Sequence, residues 1–161
     1  MDTRLHPISV TASLNRRLYL NCLDGLGDAD LAFRAGERTS STGFLACHVL
    51  DARVYAAQLI GGTVEHPVAE RLRALQSPED LPTYPSLAEL RDAWSQASDV
   101  LAGRFELLAA AALDAPSGEK LPVQDGTVLG ALTFLLQHES YHIGQLALLR
   151  KMRTGKAMSY R

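Results

Sequence analysis

Apolar residues in this chain recur at helical spacing in four separate segments, each bounded by capping residues or by glycine and proline, and nowhere do they alternate as in a half-buried strand. That pattern restricts the chain to an all-α fold. The first segment runs from Ser9 to Leu26, with Val10, Leu14, Leu18 and Leu20 or Cys22 as its stripe and Gly25 and Gly27 as stops. The second follows several candidate N-caps in Thr39-Ser40-Ser41-Thr42, puts Phe44, Leu45, His48, Ala52, Tyr55 and Leu59 on one face, and stops at Gly61-Gly62. The third opens on a capping box, Ser86 with Glu89, just after Pro85. It carries Leu87, Leu90, Trp94, Leu101, Phe105 and Leu108 toward Leu113, where Pro116 and Gly118 mark its end, and Trp94 and Phe105 read as core. The fourth starts at Asp125 or Thr127 and runs to about Arg153, with Gly155 as a natural C′ residue. Its expected inward face is Ala131, Phe134, Leu135, His138, His142, Gln145, Leu149 and Met152.

The connection from Gly61 to Pro85 is long for a bundle and contains Pro67, Pro78, Pro82 and Pro85, with room for a short helix from Val68 to Leu75. Such a connection can return the chain to the end where the second helix began. This favours parallel second and third helices, an up-down-down-up four-helix bundle with a long crossover, over the simple up-and-down form. The 161 residues lie within the range of one domain and suffice to bury a core around one site, so residues 1–161 are expected to form a single bundle domain.

Composition narrows the partners. Hydrophobic residues make up 47% and charged residues 21%, which is ordinary for a chain that folds unaided. The formal charge of −2 comes from interspersed acids and bases, so nucleic acid is not the expected partner. The locally basic stretch Arg150-Lys151-Met152-Arg153, with Lys156 and Arg161, offsets the negative end of the last helix dipole. The first residues have no signal-peptide core, and the apolar run near 128–136 is too short to span a bilayer, so a cytoplasmic protein without a membrane partner is expected. Cys22 and Cys47 form neither a disulfide framework nor a CxxC pair and read as buried free thiols.

His138-Glu139-Ser140-Tyr141-His142 has the form HExxH. On a helix, residues four apart lie about 40° apart in azimuth, so both imidazoles can reach one ion. The same pentapeptide marks zinc proteases whose glutamate is the general base. Those enzymes commonly take their third ligand from downstream, yet apart from His142 itself no Asp, Glu or His follows Ser140. The third ligand must come from upstream. His48 is the candidate, being mid-helix on an apolar face, whereas His6 and His66 each precede a proline and read as surface residues. A lone core histidine is usually hydrogen-bonded locally, but three imidazoles in one bundle layer would leave several polar groups unsatisfied, at about 1–3 kcal/mol each. One divalent ion satisfies all three. Imidazoles suit zinc, nickel, iron or cobalt better than magnesium or calcium, and three protein ligands leave room for water or substrate.

Glu139 points about 80° away from the mean direction of its flanking histidines, so it either edges the site or faces a neighbouring helix. Glu139 and Asp51 are the candidate proton acceptors. Gln145, two turns after His138, is a candidate second support or substrate contact, as is Tyr55.

These elements resemble the DinB/YfiT-like superfamily of bacterial metal-dependent proteins, whose pattern is a histidine on helix two and HxxxHxGQ on helix four. Here they read His48 within Phe44-Leu45-Ala46-Cys47-His48-Val49-Leu50-Asp51, and His138 to Gln145 as His-Glu-Ser-Tyr-His-Ile-Gly-Gln. The resemblance spans nearly the whole chain. It implies a four-helix bundle, frequently a homodimer, with a three-histidine site for zinc or nickel. Relatives include transferases that use low-molecular-weight thiols such as bacillithiol or mycothiol, a thiol-dependent isomerase and suspected hydrolases. The expected function is therefore a metal-activated, thiol-dependent S-transferase acting on a small molecule. A metal-dependent hydrolase using Glu139 or Asp51, and a non-catalytic metal-binding stress-related bundle, are the alternatives. The transferase predicts a pocket beside the ion with cationic or amide groups at its mouth, for which Arg53, Arg104 or the crossover are candidates.

Overall fold

The computed structural model describes residues 2–70, 83–118 and 120–161. Four long helices, α1 (His6–Leu23), α2 (Thr42–Leu59), α3 (Leu87–Leu107) and α4 (Val128–Thr154), make up the fold. Among the described residues there is no strand, only an isolated bridge between Pro116 and Thr127. None of the described helices is long and apolar enough to cross a membrane.

The helix ends follow the side chains that satisfy free backbone groups. Ser41 Oγ accepts from Phe44 N–H at the start of α2, and Thr127 caps α4 through Gly130 N–H. Ser86 and Glu89 close the predicted capping box on α3. Gly155 ends α4 at φ 73°, a left-handed conformation that glycine adopts without steric cost.

Cross-helix hydrogen bonds fix the directions. Arg53 reaches the Ala12 carbonyl and Tyr19 reaches that of Ala46, so α1 and α2 are antiparallel. Trp94 donates to Arg16 O, and Arg91 pairs with Asp24, so α3 also opposes α1. Asn15 donates to Leu136 O and Arg150 to Asp24 O, so α4 runs with α1. The topology is thus up-down-down-up, with α2 and α3 parallel as the long crossover requires. Both α3 and α4 pack against α1 and against α2. One half of the core gathers Tyr19, Cys22, Leu50, Trp94 and Leu146, the other Ile8, Ala56, Leu101, Phe105 and Leu132.

Three details depart from the sequence reading. On α1 the buried face is Ile8, Ala12, Asn15, Leu18, Tyr19, Cys22 and Leu23, while Val10 and Leu14 are exposed. A strict four-residue ladder drifts by about 40° per step, and the buried face alternates steps of three and four. On α4 Met152 is likewise exposed, and the buried face is centred on Leu132, Leu135, Leu136, Glu139, Ile143 and Leu146. The histidines therefore lie on its flank, half-buried. Finally, α3 stops at Leu107 because Leu108 is extended (ψ 121°), and a separate turn, Ala110–Leu113, brings Leu113 back into the core. Of the short helix expected from Val68 to Leu75, residues 71–75 lie outside the described residues.

Candidate metal centre

Antiparallel packing of α2 on α4 brings His48 opposite the two histidines of α4. The three ligand nitrogens of His48, His138 and His142 all lie within 4.8 Å of one another, and His48 Nε2 is 2.9 Å from His138 Nε2. The rings meet nearly edge to face, with centroids 4.4–4.9 Å apart. Two nitrogens bound to one ion at about 2.0–2.1 Å, at angles between square and tetrahedral, stand roughly 2.9–3.4 Å apart. The His48–His138 separation falls at the short end of that range.

The protonation states match as well. Burial pushes His48 down to about 4, and the neighbouring His142 and His138 push the same way. His138 is also lowered, first by burial and then by His142. Phe44 stacks on the His48 ring and Phe134 on the His138 ring, each with centroids 5.6 Å apart, which removes water from those faces. Neutral imidazoles with free lone pairs are the ligand form a metal needs. At His142, Nδ1 is 2.6 Å from Gln145 Oε1. An amide oxygen only accepts, so Nδ1 carries the proton and Nε2 keeps its lone pair. Gln145 is held in turn through its Nε2, which donates to the Tyr141 hydroxyl at 3.3 Å. Three imidazole nitrogens are thus a donor set that could hold a metal ion.

Several expected participants stand elsewhere. Glu139, a candidate catalytic base, is fully buried and turned into the core, where its oxygens accept from Arg53 Nε at 2.8 Å and Nη2 at 2.6 Å. Asn15 Nδ2 donates to the same carboxylate at 3.2 Å. Burial raises its pKa, against the opposing pull of Arg53 and Asn15. The roughly 100° step between neighbouring helix residues, which carries Glu139 off the histidine face, is what removes it from the site. Asp51 is half-exposed and faces His66, whose Nε2 is 3.9 Å from Asp51 Oδ1. Among the described residues no carboxylate belongs to the histidine cluster.

His66 itself corrects another expectation. Its side chain is 1% exposed, with Nδ1 accepting from Val68 N–H at 3.0 Å and Nε2 3.3 Å from the Cys47 carbonyl. It anchors the start of the crossover on α2, a tertiary contact that the dipeptide His66-Pro67 gives no means of anticipating. Tyr55, two turns past His48, packs against the half of the core that holds Leu101 and Phe105.

Neither Arg53 nor Arg104 lines the cleft that contains Gln145; Arg53 instead lines a cavity between α1 and α3 with Ala12, Ser98 and Phe105. Arg53 is 1% exposed, and Arg104 donates to the Ile60 carbonyl at the end of α2 at 2.7 Å. Arg38, missed in the sequence because it precedes the α2 caps in an irregular segment, is a cationic residue in the same cleft as Gln145. Together with Thr39, Ser40, Leu45, Leu149 and Gln145 it lines a cleft of about 320 Å³, so the cleft shares Gln145 with the metal centre. Cys22 and Cys47 are buried as free thiols, and burial pushes Cys22 up to about 12.

Residues 12–146 match the DinB superfamily. The chain belongs to that superfamily. Among solved structures, a DinB-like protein (YjoA) from Bacillus subtilis is 15% identical, with 96% of each chain covered and a TM-score of 0.65. A DinB-like protein from Bacillus cereus is also 15% identical, with 91% of this chain and 90% of that chain covered and a TM-score of 0.66. At that identity the likeness speaks for the fold. No functionally curated protein matches. In this DinB chain His48, His138 and His142 form one spatial cluster, with Gln145 joined to it by a direct hydrogen bond.

Proposed function

We propose that this DinB-superfamily chain is a metal-dependent enzyme in which His48, His138 and His142 hold a zinc or nickel ion and a low-molecular-weight thiol is transferred to a small electrophile. The observation that carries this reading is the convergence of three imidazole nitrogens, with no carboxylate among them. When bound, the ion lowers the pKa of a coordinated thiol and so favours thiolate at neutral pH.

Among the described residues, the two carboxylates considered as a base for hydrolysis fall outside the histidine cluster: Glu139 is held by Arg53, and Asp51 is half-exposed, 3.9 Å from His66. A thiol ionised by the metal can release its proton to solvent. The protein's part in thiol transfer is positional. Gln145 orients His142, Phe44 and Phe134 limit water at two of the rings, and Arg38, Thr39 and Ser40 supply polar groups for the body of a thiol cofactor or an anionic electrophile. The cleft joined to the histidine cluster through Gln145 also favours an enzyme over a metal-storing bundle.

Metal analysis of the wild type against His48→Ala, His138→Ala and His142→Ala tests the centre. We expect one equivalent in the wild type and loss in each variant; one equivalent in every variant overturns the ligand set. A conjugation screen with several bacterial thiols tests the reaction, and metal-dependent turnover that needs no thiol would count against it.

A further inference from the structure

The glutamate of the HExxH pentapeptide has no part in the chemistry above, yet in the core it accepts three side-chain hydrogen bonds. Arg53 of α2 meets every other helix. Its guanidinium holds Glu139 of α4 in a two-point contact, donates through Nη1 and Nη2 to the Ala12 carbonyl of α1 at 3.2 Å, and lies 4.3 Å from the ring centroid of Trp94 of α3. Asn15 of α1 completes the set by donating to Glu139.

The same two helices, α2 and α4, are bridged twice. His48 faces His138, and Arg53 faces Glu139. The two bridges lie about 7.5 Å apart along α2 and start from adjacent residues of α4, whose directions differ by about 100°. One bridge alone leaves two packed helices free to roll or slide about it. Two bridges on diverging side chains remove that freedom, because a roll of α4 that shifts His138 relative to His48 also pulls Glu139 off Arg53.

From this arrangement we infer that Arg53 and Glu139 are positioning residues for the metal centre, setting the roll and spacing of α2 against α4 at which His48 and His138 share one ion. The inference rests on the metal reading above and adds residues to it. It also explains why a charged pair occupies this place. Buried ion pairs are often no more stabilising than apolar side chains of similar volume, but a two-point guanidinium–carboxylate contact has a direction that apolar packing lacks.

The test uses Co²⁺ as probe, since its visible absorption reports coordination geometry, with affinity measured by chelator competition. The proteins are the wild type, Glu139→Gln, and the double variant Arg53→Met with Glu139→Leu. The double variant strands neither charge and so keeps the fold, which thermal unfolding of the metal-free protein verifies. We expect the wild type to bind one Co²⁺, and both variants to bind it about 10-fold more weakly with a shifted spectrum, the lower end of the range found when groups hydrogen-bonded to a metal ligand are removed. If Glu139→Gln fails to fold, the double variant decides alone. A folded double variant with wild-type affinity and spectrum overturns the positioning role and leaves the metal reading intact. A wild type that takes up no Co²⁺ refutes the metal reading, and the positioning role with it.

Discussion

Replacing Glu139 by alanine separates two readings of one residue. A catalytic glutamate in an open site can be removed with little loss of stability. The glutamate found here cannot, because Arg53 is 1% exposed and would keep its charge without its partner. Two charge-assisted hydrogen bonds would be lost, at 2.8 and 2.6 Å, along with the Asn15 contact. Breaking a buried pair from one side typically costs about 3–5 kcal/mol, most of it the stranded charge rather than the contact. For a chain of 161 residues, average unfolding entropies convert this to a fall in Tm of about 9–15 °C. Urea and thermal unfolding of the metal-free protein measure it without interference from metal binding. The double variant Arg53→Met with Glu139→Leu should recover most of the loss. A fall in Tm below about 3 °C for Glu139→Ala, equivalent to roughly 1 kcal/mol, would refute the view of Glu139 as a structural anchor.

Three further outcomes are expected. Gln145→Leu removes the acceptor that fixes the His142 ring and should weaken Zn²⁺ binding about 10- to 100-fold with little change in metal-free Tm; unaltered affinity would show that the ring needs no such support. With its pKa raised to about 12, Cys22 is roughly 0.1% thiolate at pH 9, where an ordinary thiol is largely ionised, so iodoacetamide should label it only after unfolding; rapid labelling of the native protein at pH 9 contradicts its burial. In Gly43→Ala a new Cβ would stand 2.5–2.7 Å from atoms of the Tyr84 ring, whose hydroxyl is tied to Ser41 Oγ at 2.6 Å, so about 1–3 kcal/mol of stability should be lost on urea unfolding; an unchanged midpoint would mean that the ring moves freely.

The class of fold, most of the helix ends and the identity of the clustered histidines are legible in the sequence because they rest on local rules. Capping at Ser86 and Glu89, the stop at Gly155 and the four-residue spacing of His138 and His142 depend on backbone geometry that holds in any helix. His48 is legible by elimination, as the remaining histidine on a mid-helix apolar face. The direction in which the other polar groups point is a different matter. Arg53 gives a faint local signal as an arginine inside the most buried face of α2, but its partner lies 86 residues away on α4. His66 reads as a surface residue until the crossover folds back on Cys47, and Arg38 shares a cleft with Gln145 only once the chain is folded. Sequence by itself therefore determined the four helices and the three imidazoles. Tertiary structure decided that the glutamate of HExxH serves the core rather than the ion, because the roll of α4 against α2 turns the histidines toward His48 and leaves Glu139, about 100° further round, facing Arg53.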